Sequence, residues 1–350
     1  MMSDTRLPRL LDVELRESAR LCPESLTLRQ SLTPPHAAEM ALPAGARLPG
    51  VGQWLELFAP YGSAGLFRVT ETVRSPLTGR ATVYLEHGMA TLGDSLIFGK
   101  ISITAGTPLR DALTALLSWQ HGDRRWQLGE TASAETPAMT FEHENLLAAL
   151  QRLASSLSAQ VLWDWDFSTA PWTLHLRPMS AVVGTELRLS RNIDAITLHL
   201  DRSELCTRLY PIGKNGLTIA AVNNGDCALT APNASVYGLA EEVYRSASTE
   251  DAFVLLAEAQ ATLNRRCTPR LRARVDARDL SVRTKEPLDE IRLGRLCRVP
   301  LPEEGSALTE RIVAVTWPDV YGRPEEAAVE LSARQGIFPI LPGLRASNLS

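Results

Sequence analysis

Apolar and polar positions alternate along the first hundred residues. Asp12 to Arg16, Ser25 to Arg29, Leu55 to Leu57, Phe67 to Thr70 and Thr82 to Glu86 all follow the period of two. Clusters rich in Pro and Gly bound them, at Thr33-Pro34-Pro35, Pro43 to Gly52, Tyr61-Gly62 and Ser75 to Gly79. Alternation between such turn signals predicts strands with one buried face. Several short strands without intervening helices predict a small barrel or sandwich over residues 1–103.

The period changes over residues 104–180. Leu109, Ala112, Leu113, Leu116 and Leu117 line one helical face, with Thr107 as the expected cap and Pro108 in the first turn. A second helix is expected near His143 to Ser158, where Leu146, Leu147, Leu150, Leu153 and Leu157 recur at helical spacing. Trp126 to Leu128 predicts a strand, and Val161 to Phe167 with Trp172 to Arg177 a hairpin. The expectation is an α+β domain of two helices on a small sheet.

Strand signals return over residues 181–335, interrupted by one long helix at about 249–267. Ser248 or Thr249 is its expected cap, with Glu250 and Asp251 in the first turn and Arg265-Arg266 in the last, each charge complementing the helix dipole. Leu271 to Val275, Leu296 to Val299, Arg311 to Val315 and Ala328 to Leu331 are the expected strands beyond it, and residues 336–350 read as a C-terminal arm. Between Leu205 and Gly225, two β-type runs (Leu205 to Tyr210 and Leu217 to Val222) flank Pro211, Gly213, Lys214, Asn215 and Gly216, and Asn223-Asn224-Gly225 closes the second. That order predicts a strand, a glycine-rich turn, a strand and another turn.

Two distant β segments echo each other. Gly52 to Pro60 parallels Gly294 to Pro302. Downstream, Ser63-Ala64, Arg68 and Gly79-Arg80 fall opposite Ser306-Ala307, Arg311 and Gly322-Arg323, and a three-residue insertion sets Ala81, Val83 and Leu85 against Ala327, Val329 and Leu331. The chain is therefore read as α+β but mainly β, with two related small barrels, an α+β insertion and a further accessory region.

Composition changes this picture little. At 350 residues the chain suits two to four subdomains, with 45% hydrophobic and 22% charged residues. A net charge of −4 gives no general attraction to nucleic acid or anionic membrane. No apolar run approaches the roughly 20 residues that span a bilayer, and the N-terminus lacks the apolar core of a secretory signal, so assembly in a cytoplasm is the expectation. Cys22, Cys206, Cys227, Cys267 and Cys297 are odd in number and widely spaced, which argues for reduced, mostly buried side chains and against a disulfide framework or zinc site.

No catalytic, cofactor-binding or metal-ligating residue is assigned. His36, His87, His121, His143, His175 and His199 form no His-x-x-x-His or His-x-His pair. Gly213-Lys214 lacks a phosphate-loop frame, and no Gly-x-Ser-x-Gly occurs. Trp163-Asp164-Trp165-Asp166 places two acids on one face of a strand and two indoles on the other. The expectation is an aromatic face under a helix and a solvated acidic face, rather than a glycosidase pair. Arg270, Arg272 and Arg274 share one strand face, read as a solvated or intersubunit surface.

Leu209 to Ile219 followed by Val222 to Gly225 resembles a signature of the phage tail hub family, the minor structural proteins of tail tips, similar to the trimeric hub of contractile baseplates. The resemblance makes Tyr210, Pro211, Gly213, Lys214, Gly216, Asn223 and Gly225 a structural motif and not an active site. It implies a homotrimer in which two barrels per chain present a pseudo-sixfold ring. The implied partners are a hexameric tail tube or distal tail ring, a tape-measure protein, a downstream spike or fibre, and transiently the phage DNA, all within the virion tail tip. Some members carry a peptidoglycan-cleaving module after the hub. None is expected here, where the chain reaches Ser350 just past the last β segment. A cell-wall hydrolase and a carbohydrate-binding module, the latter using the Trp163 to Trp172 hairpin, are the alternatives.

Overall fold

The computed structural model describes residues 7–122, 125–157, 160–246, 249–300 and 307–332, with the side chains of 200, 270 and 271 outside that description. They fold into two compact units, one of Met1–Ile196 with Arg274–Leu331, the other built around Thr197–Ala273.

A 13-stranded sheet forms the frame of the first unit. Ten of its strands are one five-strand pattern used twice. In the first use, chain order runs Ser25–Ser31, Ala37–Leu42, Trp54–Ala59, Gly62–Arg74, Ala81–His87. In the second it runs Ile193–Asp201, Arg270–Arg278, Leu296–Pro300, Ala307–Trp317, Glu326–Ser332. Labelling the strands A to E in chain order, both sets have the spatial order A-B-E-D-C. Arg9–Leu11 pairs with strand C of the first repeat, carrying Glu17–Arg20 beyond it, and Val183–Glu186 pairs with strand C of the second.

The echo between Gly52 and Gly294 extends to single hydrogen bonds. Gly52 N donates to Val69 O at 2.8 Å and Val69 N to Gln53 O at 2.9 Å; Gly294 N donates to Ile312 O and Ile312 N to Arg295 O, both at 2.9 Å. Trp54 lies opposite Arg68, and Leu296 opposite Arg311. Both glycines sit at positive φ, +85° and +80°, where a Cβ is disfavoured. The two repeats join where strand D of the second, Ala314–Trp317, pairs antiparallel with Ser31–Leu28 of the first. Inward positions alternate with outward ones, so that Leu26 and Leu28, Met40 and Leu42, Leu55 and Leu57, and Val329 and Leu331 make the core with Phe67 and Trp317.

The expected strand at Asp12 to Arg16 is instead a turn between Arg9–Leu11 and Glu17–Arg20. Asp12 Oδ1 accepts from Glu14 N and Arg16 N, both at 2.9 Å, and Leu15 adopts φ +60°. A local side-chain acceptor has outcompeted the alternating pattern.

Between the repeats, helices Leu109–Leu117 and Leu146–Ser156 pack on a sheet ordered Trp126–Thr131, Trp172–Pro178, Val161–Asp166. The predicted hairpin forms, with Val161 opposite Pro178. Leu113, Leu116, Leu150 and Leu153 are wholly buried, each worth about 1.5–3 kcal/mol relative to exposure. Helix starts differ from expectation. Thr107-Pro108 pair with Glu135-Thr136 as a short bridge, leaving Pro108 as an N-cap without a side-chain bond. The second helix starts three residues later than expected, at Leu146, where Asn145 accepts from Ala148 N.

In the second unit, Arg208–Ile212 lies between Leu229–Thr230, antiparallel, and Glu241–Arg245, parallel. Helix Ala252–Arg266 sets Leu255, Ala259 and Leu263 against Cys206, Leu209 and Ile219. Its cap is Asp251, which accepts from Phe253 N and Val254 N, in place of Thr249; Ser248 lies outside the described residues. Arg265 and Arg266 occupy the last turn, as the dipole favours.

Candidate assembly surfaces

The seven motif residues all fall in the second unit, at and just after its central strand. Tyr210 Oη donates to Glu241 Oε1 at 3.0 Å, and Pro211 is buried. Gly213 is dictated by space, since a Cβ there would lie 2.7 Å from Thr249 O. Lys214 N donates to Thr249 O at 2.9 Å, and its ammonium pairs with Glu250. Gly216 and Gly225 take φ +80° and +87°, flanked by Asn215 and Asn224, also at positive φ. Asn223 Nδ2 donates to Asp226 O and Ala228 O, both at 3.0 Å.

Those bonds correct the expected hairpin. Leu217 to Val222 is not a strand; a single 3₁₀ turn, Ala220–Val222, occupies it, preceded by another at Lys214–Gly216. Two positive-φ pairs in close succession curl the backbone, and the buried Ile219 side chain anchors the curl beneath the helix. The motif is a clasp of backbone and short side chains.

The Trp-Asp strand divides its faces as read. Trp163 is buried among the helices' leucines. On the other face Asp164 pairs with Arg177, and Asp166 accepts from Ser168 N and Oγ. Trp165 meets a histidine pair that the spacing of the six histidines did not bring together. His87 lies 4.1 Å from the Trp165 ring, centre to centre, and His36 lies 5.4 Å from His87. Met89 N donates to His87 Nδ1 at 3.2 Å, which puts the proton on Nε2, and that buried Nε2–H has no partner. Burial holds His87 well below its ordinary value and His36 down to about 4, so both rings are neutral. Phe67, Phe167 and Trp165 pack around the His87 ring.

In the second repeat, Glu310 takes the place that Phe67 holds in the first, opposite Cys297 where Phe67 lies opposite Leu55. Burial alone raises its carboxyl to about 7. Cys206 and Cys297 are buried, whereas Cys22 and Cys227 are exposed, so burial is not the rule that the spacing implied. Arg272 and Arg274 are exposed on their strand. Among the described residues no three His, Cys, Asp or Glu side chains are grouped to hold a metal, and no helix is long and apolar enough to cross a membrane.

A family model described as "Prophage endopeptidase tail" matches residues 183–336. No curated protein matches the chain by sequence. Among solved structures, the tail protein of Neisseria meningitidis MC58 superposes with a TM-score of 0.67 at 12% identity, over 93% of this chain and 96% of that one. The 43 kDa tail protein of prophage MuSo2 from Shewanella oneidensis gives 0.66 at 14%, over 94% and 97%. An Escherichia coli component of the type VI secretion system, described as structurally similar to the T4 bacteriophage tail proteins gp27 and gp5, gives 0.52 at 12%, over 95% and 80%. Residues 183–336 thus match the model of a prophage tail family, and the described chain has the fold of solved prophage tail proteins.

Proposed function

We propose that this chain is a structural protein of a phage or prophage tail tip. Three copies form a hub that joins a hexameric tube or distal tail ring to the spike or fibre beyond, and closes the DNA channel. The supporting observation is the five-strand unit repeated within one chain with the same strand order. Three chains then offer six near-equivalent sheet units, which matches a trimer to a sixfold ring. The motif clasp at Tyr210 to Gly225 is a structural element of that hub. Likeness to tail proteins and to a gp27-like secretion component supports the same role.

The chain is proposed to work by packing and not by covalent chemistry, with assembly in the host cytoplasm before incorporation into the virion. Electron-microscopy class averages of tails carrying this protein test the reading. Three copies at the junction between a six-membered ring and the tip are expected; a location along the tail shaft, or a copy number of six, contradicts it.

The word "endopeptidase" in the matching family's description favours one second reading, a peptidoglycan-directed hydrolase. Incubation of the purified chain with peptidoglycan decides it: release of soluble muropeptides supports the hydrolase, and intact sacculi support the hub.

A further inference from the structure

Two of the cysteines, far apart in sequence, meet inside the second unit. Cys206 lies just before the central strand Arg208–Ile212, and Cys267 is the C-cap of helix Ala252–Arg266. Cys206 is buried and Cys267 half-buried, both against the cluster that holds Leu209, Leu255 and Leu263. One backbone hydrogen bond joins the two places. Cys206 N donates at 2.9 Å to Arg266 O, the carbonyl of the peptide that leads into Cys267. Residues beside such a bond have their Cα atoms about 5–6 Å apart. That falls inside the range of roughly 4.4–6.8 Å that a disulfide spans.

The sulfurs are held only by weak bonds. Cys206 Sγ donates to Arg208 O at 3.3 Å and Cys267 Sγ to Asn264 O at 3.6 Å. A thiol is a poor donor, so turning either side chain away from its carbonyl costs little. Burial first, and then Glu242, hold the Cys206 thiol above its ordinary value, and the Cys267 sulfur lies near enough to add to that rise. The two differ in access, which sets the order in which they react. Cys267 is open to a reagent from solvent, whereas Cys206 can be reached only from Cys267.

We infer that Cys206 and Cys267 form an oxidisable pair that closes to a disulfide within one chain. The Cys267 thiolate attacks a small-molecule disulfide, forms a mixed disulfide and expels one thiolate. The Cys206 thiolate then attacks Cys267 Sγ, forms the Cys206–Cys267 bond and expels the second. The pair gives up two electrons and two protons, and the small-molecule disulfide is reduced to two thiols. The bond staples the end of the helix to the base of the strand that carries Tyr210 and Pro211. In a reducing compartment the pair stays open, and in an oxidising one it closes. Cys297 takes no part, because burial pushes its thiol up to about 12. The pairing does not depend on the hub reading.

The test uses the full chain with exposed Cys22 and Cys227 replaced by Ser, incubated with oxidised glutathione under native conditions. Peptide mapping is expected to show loss of the thiols at Cys206 and Cys267 and a peptide linking them, reversed by dithiothreitol. The bridge closes a loop of about 60 residues, so the oxidised chain is expected to melt about 5 °C or more above the reduced one. Cys206→Ser is expected to stop at a glutathione adduct on Cys267, and Cys267→Ser to leave Cys206 reduced over the same period. Free thiols at both positions, a stable adduct on Cys267 while Cys206 is present, or a link that appears only in urea overturns the pairing. A bridged chain that melts no higher than the reduced one overturns the staple.

Discussion

The two five-strand repeats share their strand order and the hydrogen bonds around Gly52 and Gly294, yet they fill their cores differently. The first packs Phe67 against His87. The second puts Glu310 at that position and Cys297 where the first has Leu55. Toward the end of strand D the contrast reverses. Trp317 is wholly buried in the second repeat, while its counterpart Arg74 is exposed in the first. The backbone frame is thus set by turn glycines and strand pairing, whereas side-chain content follows what each repeat meets. The first meets the helical insertion at its His87 end; the second meets the first along its strand D edge.

The largest expected break in this contrast is Trp317→Ala. Removing a fully buried indole costs about 3–5 kcal/mol, whereas Arg74→Ala at the equivalent exposed site changes monomer stability by about 0.5 kcal/mol or less. Urea midpoints of the two variants check it; equal losses would mean that the repeats are not related as described.

Acid comes next, and the repeats respond to it with opposite sign. His36 has its folded value lowered from 6.5 to about 4, so its contribution is present above 6.5 and is lost as pH falls to 4. For a group so buried, that shift corresponds to about 3 kcal/mol, and His87 acts in the same direction. Stability measured from pH 7 down to pH 4 is expected to fall, with a shallower slope in His36→Gln. A flat profile would place these rings in contact with water.

Smaller and more discriminating is the pair Gly52→Ala and Gly294→Ala. Positive φ costs a Cβ about 1–2 kcal/mol at either site. Gly294 should lose more, because its added Cβ would meet Leu162 Cδ2 at 3.0 Å, while that of Gly52 meets nothing within 4 Å. Thermal denaturation that ranks them the other way would contradict the packing around Gly294.

The mildest effect is a gain. Glu310 has its folded value raised from 4.5 to about 7, so its contribution is fully present below 4.5 and is lost as pH rises through 7. Glu310→Gln is expected to stabilise the chain at pH 8 by about 1 kcal/mol, the full linkage value being discounted because the carboxylate still meets solvent. No difference from the parent between pH 5 and pH 8 would show that this carboxylate is freely hydrated.

Much of this frame was legible beforehand. Period-two alternation locates strands C, D and E of both repeats, and the spacing of Gly52 to Arg68 against Gly294 to Arg311 signals their kinship. Strand A of the second repeat escaped because the whole second unit separates it from its neighbour, so no turn signal links the two. Local bonding misled at Asp12, whose carboxylate turns an alternating run into a bend, and at Leu217 to Val222, where positive-φ residues override β propensity. Tyr210 was readable as the end of a strand and the other six motif residues as turn formers, although Pro211 lies in the strand and the steric demand at Gly213 comes from Thr249 O, across the fold. Nothing in their spacing paired His36 with His87, since only the strand order brings them within contact.

The central claim is that three chains, each with two equivalent sheet units, close one ring. A density map of the purified assembly computed without imposed symmetry tests it most directly, alongside native mass spectrometry for the number of 38.3 kDa chains. The account predicts three chains about a threefold axis, with the Trp54–Arg74 and Leu296–Trp317 regions alternating at near-equal radius. An even-numbered assembly, or a trimer in which these two regions lie at different heights along the axis, would contradict it.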